Sequence, residues 1–416
     1  MNAALFRFFV REYRYRRRRS ALITFAIGWS SFVLIVLLAF GAGLAQQVQT
    51  ALFGLGRRLI MVYPGQTSKP YRGLPEGRPI RFHIEDVQLL AARVPQIALI
   101  SPENDTRVEV SHGDRHLNRL VTGVFASFGH MRAQDPQPGG RFLNDLDLRY
   151  RRRVAFLGWK VARDLFGDAN PVGQWIRIQG VPFRVIGVLR PKLQSGMYGG
   201  PDAAKVVIPF TTYVAMFGTT TVERIHVRPV DAHHAEAVRQ AIRAVLAQKY
   251  RFDPDDPDAV DFWDLIESER IQARIMLGLQ IFLGIMGVIT LGIAGVGVMN
   301  IMYATVHARV PEFGLKMALG MRRRAILLQV LGETAWIFAR GAVWGILTAW
   351  NLVHLVRQIP IPEESWSIQG YLARPIFSGT IALVYVAILA GIVLFAGIFP
   401  AMRAARLQPV EALRTE

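Results

Sequence analysis

The commonest route to ATP hydrolysis needs a Gly-Lys-Ser/Thr turn, whose backbone amides and lysine cradle the phosphates. The 416-residue sequence has six lysines and no Gly-Lys dipeptide, which closes that route. It has no cysteine, so a thiol nucleophile, a thiolate metal site and a disulfide scaffold are excluded together. Gly41-Ala42-Gly43 starts like a dinucleotide fingerprint but lacks the third glycine and lies in an apolar run. His226, His233 and His234 form one histidine cluster. Neighbours at i and i+1 do not face one metal from a helix, so these are read as solvated turn histidines after a strand. Asp253, Asp255 and Asp256 sit in a proline-punctuated loop and read as a solvated linker ahead of a calcium site. Gly-x-Ser-x-Gly and His-Glu-x-x-His are absent. No catalytic residue, metal site or cofactor is expected in the chain itself.

Two charges fall in apolar surroundings. Glu333 and Arg340 are seven residues apart, about 700° around a helix, and so lie near one face. Charges at membrane depth pair or line a cavity. A Glu333–Arg340 structural pair, or a glutamate at the cytoplasmic interface, is expected ahead of a proton relay. Gly284, Gly287, Ala294 and Gly295 place small residues near one helical face. Small residues let helices approach closely in lipid, which suits packing within one subunit or a dimer seam equally.

The elements that must carry these residues are membrane spans. Residues 21–45 hold no charge and would make a helix of about 38 Å, against a hydrocarbon core of about 30 Å. A signal-peptide core is shorter and ends in a cleavage site, so this run is read as a retained span. Further spans are expected at 275–304, 325–356 and 376–400. Net charge is +18, from 49 basic and 31 acidic residues. The basic residues cluster in the arm 1–20, in the loop 305–324 and in the tail 401–416. In the loop 357–375, Arg357 and Arg374 are offset by Glu363 and Glu364. By the positive-inside rule both termini and the 305–324 loop are cytoplasmic. The arm contacts anionic lipid, and no nucleic-acid partner is expected.

Residues 46–274 then lie outside and read as mixed α and β. Residues 82–94 have helical spacing, 98–101, 106–111 and 119–124 look like short strands, and 154–165 reads as a strand entering a helix. Residues 174–188 alternate around Gly180-Val181-Pro182 as a hairpin, and a strand at 222–227 precedes an amphipathic helix at 235–250. Two helix–strand halves around a β-rich centre suggest two subdomains. No proline or glycine separates 46–53 from the first span or 265–276 from the second, so both helices are expected to extend as a paired stalk. The fold class expected is an α-helical membrane protein with four transmembrane helices plus a mixed α+β extracytoplasmic domain between the first and second helices.

Several stretches carry a resemblance. They are Gly295–Met302 (GVGVMNIM) running into Val310–Arg322 (VPEFGLKMALGMR), and the tail Phe399–Arg414 (FPAMRAARLQPVEALR). In the outer segment they are Val154–Gly158, Leu165–Gly167, Asn170–Gly180 and Pro182–Leu189. Leu59-Ile60 with Pro64-Gly65, Val121–Val124 and Gly140–Phe142 fit as well. Together they resemble the permease of MacB-type ABC transporters, the FtsX-like or type VII class, over nearly the whole chain.

The resemblance implies a permease dimer, homo- or heteromeric, with paired stalks and a cytoplasmic ATPase bound below. It implies a coupling helix that docks on the ATPase, which maps to Glu312, Phe313, Gly314, Lys316, Met317, Ala318, Leu319 and Gly320. Pro311 stands where the family usually has arginine, a departure that affects the start of that helix or marks one half of a heterodimer. MacB carries its ATPase fused ahead of the first span. Here the ATPase, with its ATP and Mg, is expected on a separate polypeptide. The function implied is conversion of ATP hydrolysis into motion of the periplasmic domain, for efflux with a membrane-fusion adaptor and an outer-membrane duct. Lipoprotein extraction and activation of a cell-wall hydrolase are the alternatives, and cargo is not readable. The location implied is the bacterial inner membrane.

Overall fold

The computed structural model describes residues 3–53, 56, 58–192, 194, 200–359 and 374–406. Glu363, Glu364 and the tail beyond Arg406 lie outside them. The chain opens with α1 (Ala3–Phe53), β1 (Ile60–Pro64), β2 (Phe82–His83), α2 (Ile84–Arg93), β3 (Ile97–His112) and β4 (Arg115–Val124). Next come α3 (Ser127–Met131), α4 (Asp145–Arg149), β5 (Val154–Leu157), α5 (Trp159–Phe166), β6 (Trp175–Ile178) and β7 (Val181–Val188). Then follow β8 (Lys205–Pro209), α6 (Phe210–Phe217), β9 (Thr221–Val222), β10 (Arg224–Pro229), α7 (Ala235–Tyr250) and β11 (Val260–Asp264). The chain continues through α8 (Leu265–Ala308), α9 (Val310–Ala318), α10 (Arg323–Gln358) and α11 (Gly379–Ala405). Two compact units divide at 47/48 and 273/274.

In the membrane unit, α1, α8, α10 and α11 are long and apolar enough to cross a bilayer. Helices α1, α8 and α10 outrun the expected spans at both ends, and α11 starts three residues later than expected but runs past the expected end, because hydropathy does not fix where a helix stops. Pro400, taken as the end of the fourth span, is buried inside α11, which continues to Ala405. A proline costs the helix one backbone bond, and neighbouring helices compensate in a bundle. Helices α1 and α10 pack through glycines. A Cβ at Gly345 would stand 2.6 Å from Ser31 Cβ and 2.7 Å from the Gly28 carbonyl, and one at Gly341 would stand 2.7 Å from Ile27. Gly341 and Gly345 are a Gly-x-x-x-Gly pair, the spacing that brings helices close in lipid.

In the outer unit nine strands form one sheet in the order β11-β1-β10-β3-β4-β8-β5-β7-β6. Strand β6 also pairs back onto β3, Val110 opposite Ile178, which closes β3, β4, β8, β5, β7 and β6 into a six-stranded barrel. The expected short strands at 98–101 and 106–111 are one strand, β3, sixteen residues long. Its first half, up to Glu103, pairs with β10, and its second half, from Glu103 to His112, pairs with β4 and belongs to the barrel. Two cores result. One packs α2 and α7 on β1 and β10 through Val87, Leu90, Val238, Ile242 and Leu246. The other fills the barrel with Val110, Val121, Leu157, Ile176, Phe183 and Ile208, and α5 adds Val161 and Leu165.

Candidate coupling site

Helix α9 joins α8 to α10. Its apolar positions fall on two faces. Phe313 is fully buried among Val306 of α8, Ile326 and Val330 of α10 and Ala401 and Ala404 of α11. Gly314 is buried beside it, and Lys316 and Met317 are half-buried. Glu312, Ala318, Leu319 and Gly320 are exposed, as is Leu315. Leu315 and Leu319 keep 54% and 80% of their surface, an apolar pair one helical turn apart left largely uncovered by the described residues. Pro311 sits in the first turn of α9, where a missing N–H costs nothing. Gly320 closes the element with φ +96°, a conformation few side chains tolerate.

Arg309, between α8 and α9, organises the site. Its Nε and Nη2 donate to the two Glu312 oxygens at 2.8 and 3.1 Å. Its Nη1 donates to both Glu333 oxygens, at 3.0 and 2.8 Å. Lys316 donates to Glu312 at 2.8 Å, and Gln329 to Glu333 at 3.1 Å. The guanidinium stands 5.1 Å from the Phe313 ring centroid, a cation–π distance. Hydrogen bonds from Arg309 and then Lys316 lower the Glu312 pKa to about 2. The bonds Arg309 donates to Glu312 and then Glu333 raise its own pKa, with burial opposing. Arg309 and Glu312 therefore stay charged across the physiological range, and the cluster clamps α9 to the end of α8 and to α10.

The expected Glu333–Arg340 pair does not form. Among the described residues Glu333 takes Arg309 as its ion-pair partner, and Arg340 is exposed. Seven residues along a helix are about 10.5 Å of rise, whereas the chain reversal at α9 delivers Arg309 directly to Glu333. Arg309 and Gln329 were missed. The available signal was an unpaired Glu333 and an arginine ending an apolar run. Of the small residues on α8, Gly287 and Gly295 pack within the subunit. A Cβ there would meet Leu34 of α1 at 2.1 Å and Ile392 of α11 at 2.7 Å. A Cβ at Gly284 would lie 4.0 Å from Leu38, and Ala294 is half-buried.

A second set of ionisable groups lies wholly inside the outer unit. Glu103 in β3 and His226 in β10 are both fully buried and hydrogen-bonded to one another. Lys205 and Arg224 stand 3.9 and 3.7 Å from Glu103. Asp202 takes Arg132 and Lys192, each at 2.9 Å. Burial alone would raise both carboxyl pKa values. The surrounding groups overcome it and hold both well below the usual range, His226 leading at Glu103 and Arg132 at Asp202. Burial pushes His226 down against the pull of Glu103. His226 is thus a strand residue in an ion network, not a solvated turn residue, whereas His233 and His234 are exposed. Asp256 is likewise buried, accepting from the Ser68 amide at 2.8 Å and hydroxyl at 2.7 Å and from the Lys69 amide at 3.1 Å. It fastens a loop. Both clusters match each charge with a partner inside the fold, which is structural and not catalytic chemistry.

Residues 20–245 match the model of the MacB-like periplasmic core domain, and residues 284–409 that of the FtsX-like permease C-terminal region. The chain is 30% identical over 400 residues to the macrolide export ATP-binding/permease protein MacB of Bdellovibrio bacteriovorus, covering 96% of this chain and 59% of that protein. It is 30% identical over 404 residues to the pyoverdine export ATP-binding/permease protein PvdT of Pseudomonas aeruginosa, covering 96% of this chain and 57% of that protein. Among solved structures it is similar to the periplasmic region of MacB from Actinobacillus actinomycetemcomitans, with a TM-score of 0.42 and 17% identity over 52% of this chain and 94% of the other. The chain thus spans under two thirds of the length of the relatives it matches, and both matched regions are of permease type. On these matches, with four membrane-spanning helices and an α/β periplasmic domain between the first and second, the chain belongs to the MacB-type, FtsX-like permeases of ABC transporters.

Proposed function

We propose that this chain converts ATP hydrolysis, performed by an ATPase domain outside these 416 residues, into motion of its periplasmic domain. The observation that carries the reading is α9. It is anchored by buried Phe313 and by the Arg309 clamp, and it presents Leu315 and Leu319 uncovered. A force applied to those two leucines passes through Arg309 to α8 and through Glu333 to α10. Helices α1 and α8 run unbroken through the residues at which the two units divide, which supports their use as levers. Both termini and α9 are on the cytoplasmic side in this account, in keeping with the arginines around them.

The relatives' names, macrolide export and pyoverdine export, favour efflux of periplasmic cargo, with an adaptor and an outer-membrane duct as partners. The permease works as a dimer. On α8, Gly278 and Gly292 have nothing within 4 Å, and Phe282, Ile285 and Ile289 between them are exposed. That face suits a second copy, since Gly287 and Gly295 are already occupied.

The test is purification of the tagged chain from its native host in mild detergent, with mass spectrometry and an ATPase assay. A nucleotide-hydrolysing partner should be recovered, and Leu315→Glu with Leu319→Glu should abolish its recovery. A chain that comes down alone under crosslinking overturns the proposal.

A further inference from the structure

Residues 148–201 contain ten arginines and lysines and only two acids, Asp164 and Asp168. The structure brings five of them, Arg149, Arg151, Arg152, Arg153 and Arg184, together on one part of the barrel. Arg149, Arg151, Arg152 and Arg153 leave α4 in a single turn and are all exposed. The Arg184 amide donates to the Arg153 carbonyl at 2.9 Å, which sets β7 beside that turn. Trp175 of β6 lies opposite Arg184 in the ladder. Trp175 and Tyr150 are 57% and 61% exposed. Arg149 and Arg152 stand 5.8 and 5.7 Å from the Tyr150 ring.

The turn is held rigid from beneath. Buried Asp147 binds Arg141 at 2.6 Å and stands 3.5 Å from Arg152. Thr211 donates to the Leu148 carbonyl at 2.6 Å, and Thr212 to the Arg152 carbonyl at 3.0 Å. Among the described residues, no carboxylate pairs with Arg149, Arg151, Arg153 or Arg184. Four guanidinium groups are thus displayed uncompensated on an ordered backbone, so binding adds no backbone ordering to the side-chain entropy that is lost.

We propose that this surface docks the acidic face of a second protein. Arginine, tyrosine and tryptophan are the three residue types that dominate binding hot spots between proteins. The patch is arginine-only, and the planar fork of arginine matches a carboxylate in a way that lysine does not. Its groups stand on an open turn and strand, the flat shape that a protein face covers and a small ligand does not. The proposal does not depend on how the chain couples to ATP.

The experiment places benzoylphenylalanine at Trp175 in the full chain, in its native host, and identifies the photoproduct by mass spectrometry. The expected result is one protein adduct, crosslinked through an acid-rich segment. Its yield should fall about tenfold when Arg149, Arg151, Arg153 and Arg184 are all changed to Glu, since exposed pairs add modestly and reversal adds repulsion. The same four changed to Lys should lose only part of the adduct, since the charge stays while the fork is lost, and changed to Gln should lose it in the same direction as Glu. The Gln variant decides the matter where the Glu variant fails to accumulate. Changing Arg72, Arg81, Arg93 and Arg107, four exposed arginines elsewhere on the unit, to Glu should leave the yield unchanged. An adduct that survives both the Glu and Gln variants, one lost equally in the control, or a photoproduct that is only lipid overturns the proposal.

Discussion

Changing Glu333→Gln removes one charge from the α9 clamp while keeping its shape. Glu333 accepts two hydrogen bonds from Arg309 and one from Gln329. A hydrogen bond to a charged group contributes about 1.5–3 kcal/mol and a neutral one about 0.5–1.5. The Glu333 side chain is 37% exposed, so solvent screening keeps the difference to the lower part of that range, about 1 kcal/mol. Arg309 keeps Glu312, and α9 stays anchored by Phe313. A loss of about 1 kcal/mol is about a fivefold change in the opening equilibrium. Hydrogen exchange on the full chain in nanodiscs reads this directly. Amides of α9 should lose protection about fivefold, while those of the barrel strands stay unchanged. Unaltered exchange in α9, or equal loss in the barrel, would refute the reasoning.

Other outcomes follow from the same contacts. Phe313→Ala should cost about 3–5 kcal/mol locally and abolish recovery of the ATPase, whereas Ala318→Ser should leave recovery intact. Gly345→Val, which drives a side chain into Ser31 and the Gly28 carbonyl, should prevent α1 from packing on α10. Thermal unfolding in detergent should show a large loss for it and almost none for Gly391→Ala, where an added Cβ meets nothing within 4 Å. Stability of the outer unit should fall with acid in two stages. His226 is pushed down by burial, so the unfolded imidazole takes a proton that the folded one refuses, and stability falls below about pH 6.5. Glu103 and Asp202 are held well below the usual range, so their contribution is intact above about pH 4 and is lost as pH falls further. In His226→Gln the first stage should disappear, and an unchanged slope above pH ~4 would contradict the assignment.

Local patterns were readable wherever one residue type decides the outcome. The alternation of Trp175, Ile176, Arg177 and Ile178 marks a strand with one wet face, and the observed exposures follow it. The apolar spacing of 235–250 marks a helix, and α7 has those bounds. Patterns that depend on distant partners were not readable. Strand β3 looks broken at Pro102-Glu103-Asn104-Asp105, because proline and buried charge normally end a strand. It runs through because His226, Lys205 and Arg224, all more than 100 residues away, compensate Glu103. The same holds for Glu333, whose partner is 24 residues distant across a chain reversal. Short β8 escaped notice since Lys205 opens it, and only the fold reveals that its ammonium is matched inside.

The absence of cysteine in the sequence makes one measurement especially clean. A single Val230→Cys, at an exposed position of the outer unit, carries a spin label in the full chain bound to its ATPase in nanodiscs. The distance distribution between the two copies is then recorded with and without ATP and magnesium. Coupling through α9 predicts a shift on nucleotide addition that Glu333→Leu weakens and Leu319→Glu abolishes. An identical distribution in both states, while the bound ATPase turns over, would contradict the claim that this permease transmits ATP hydrolysis to its periplasmic domain.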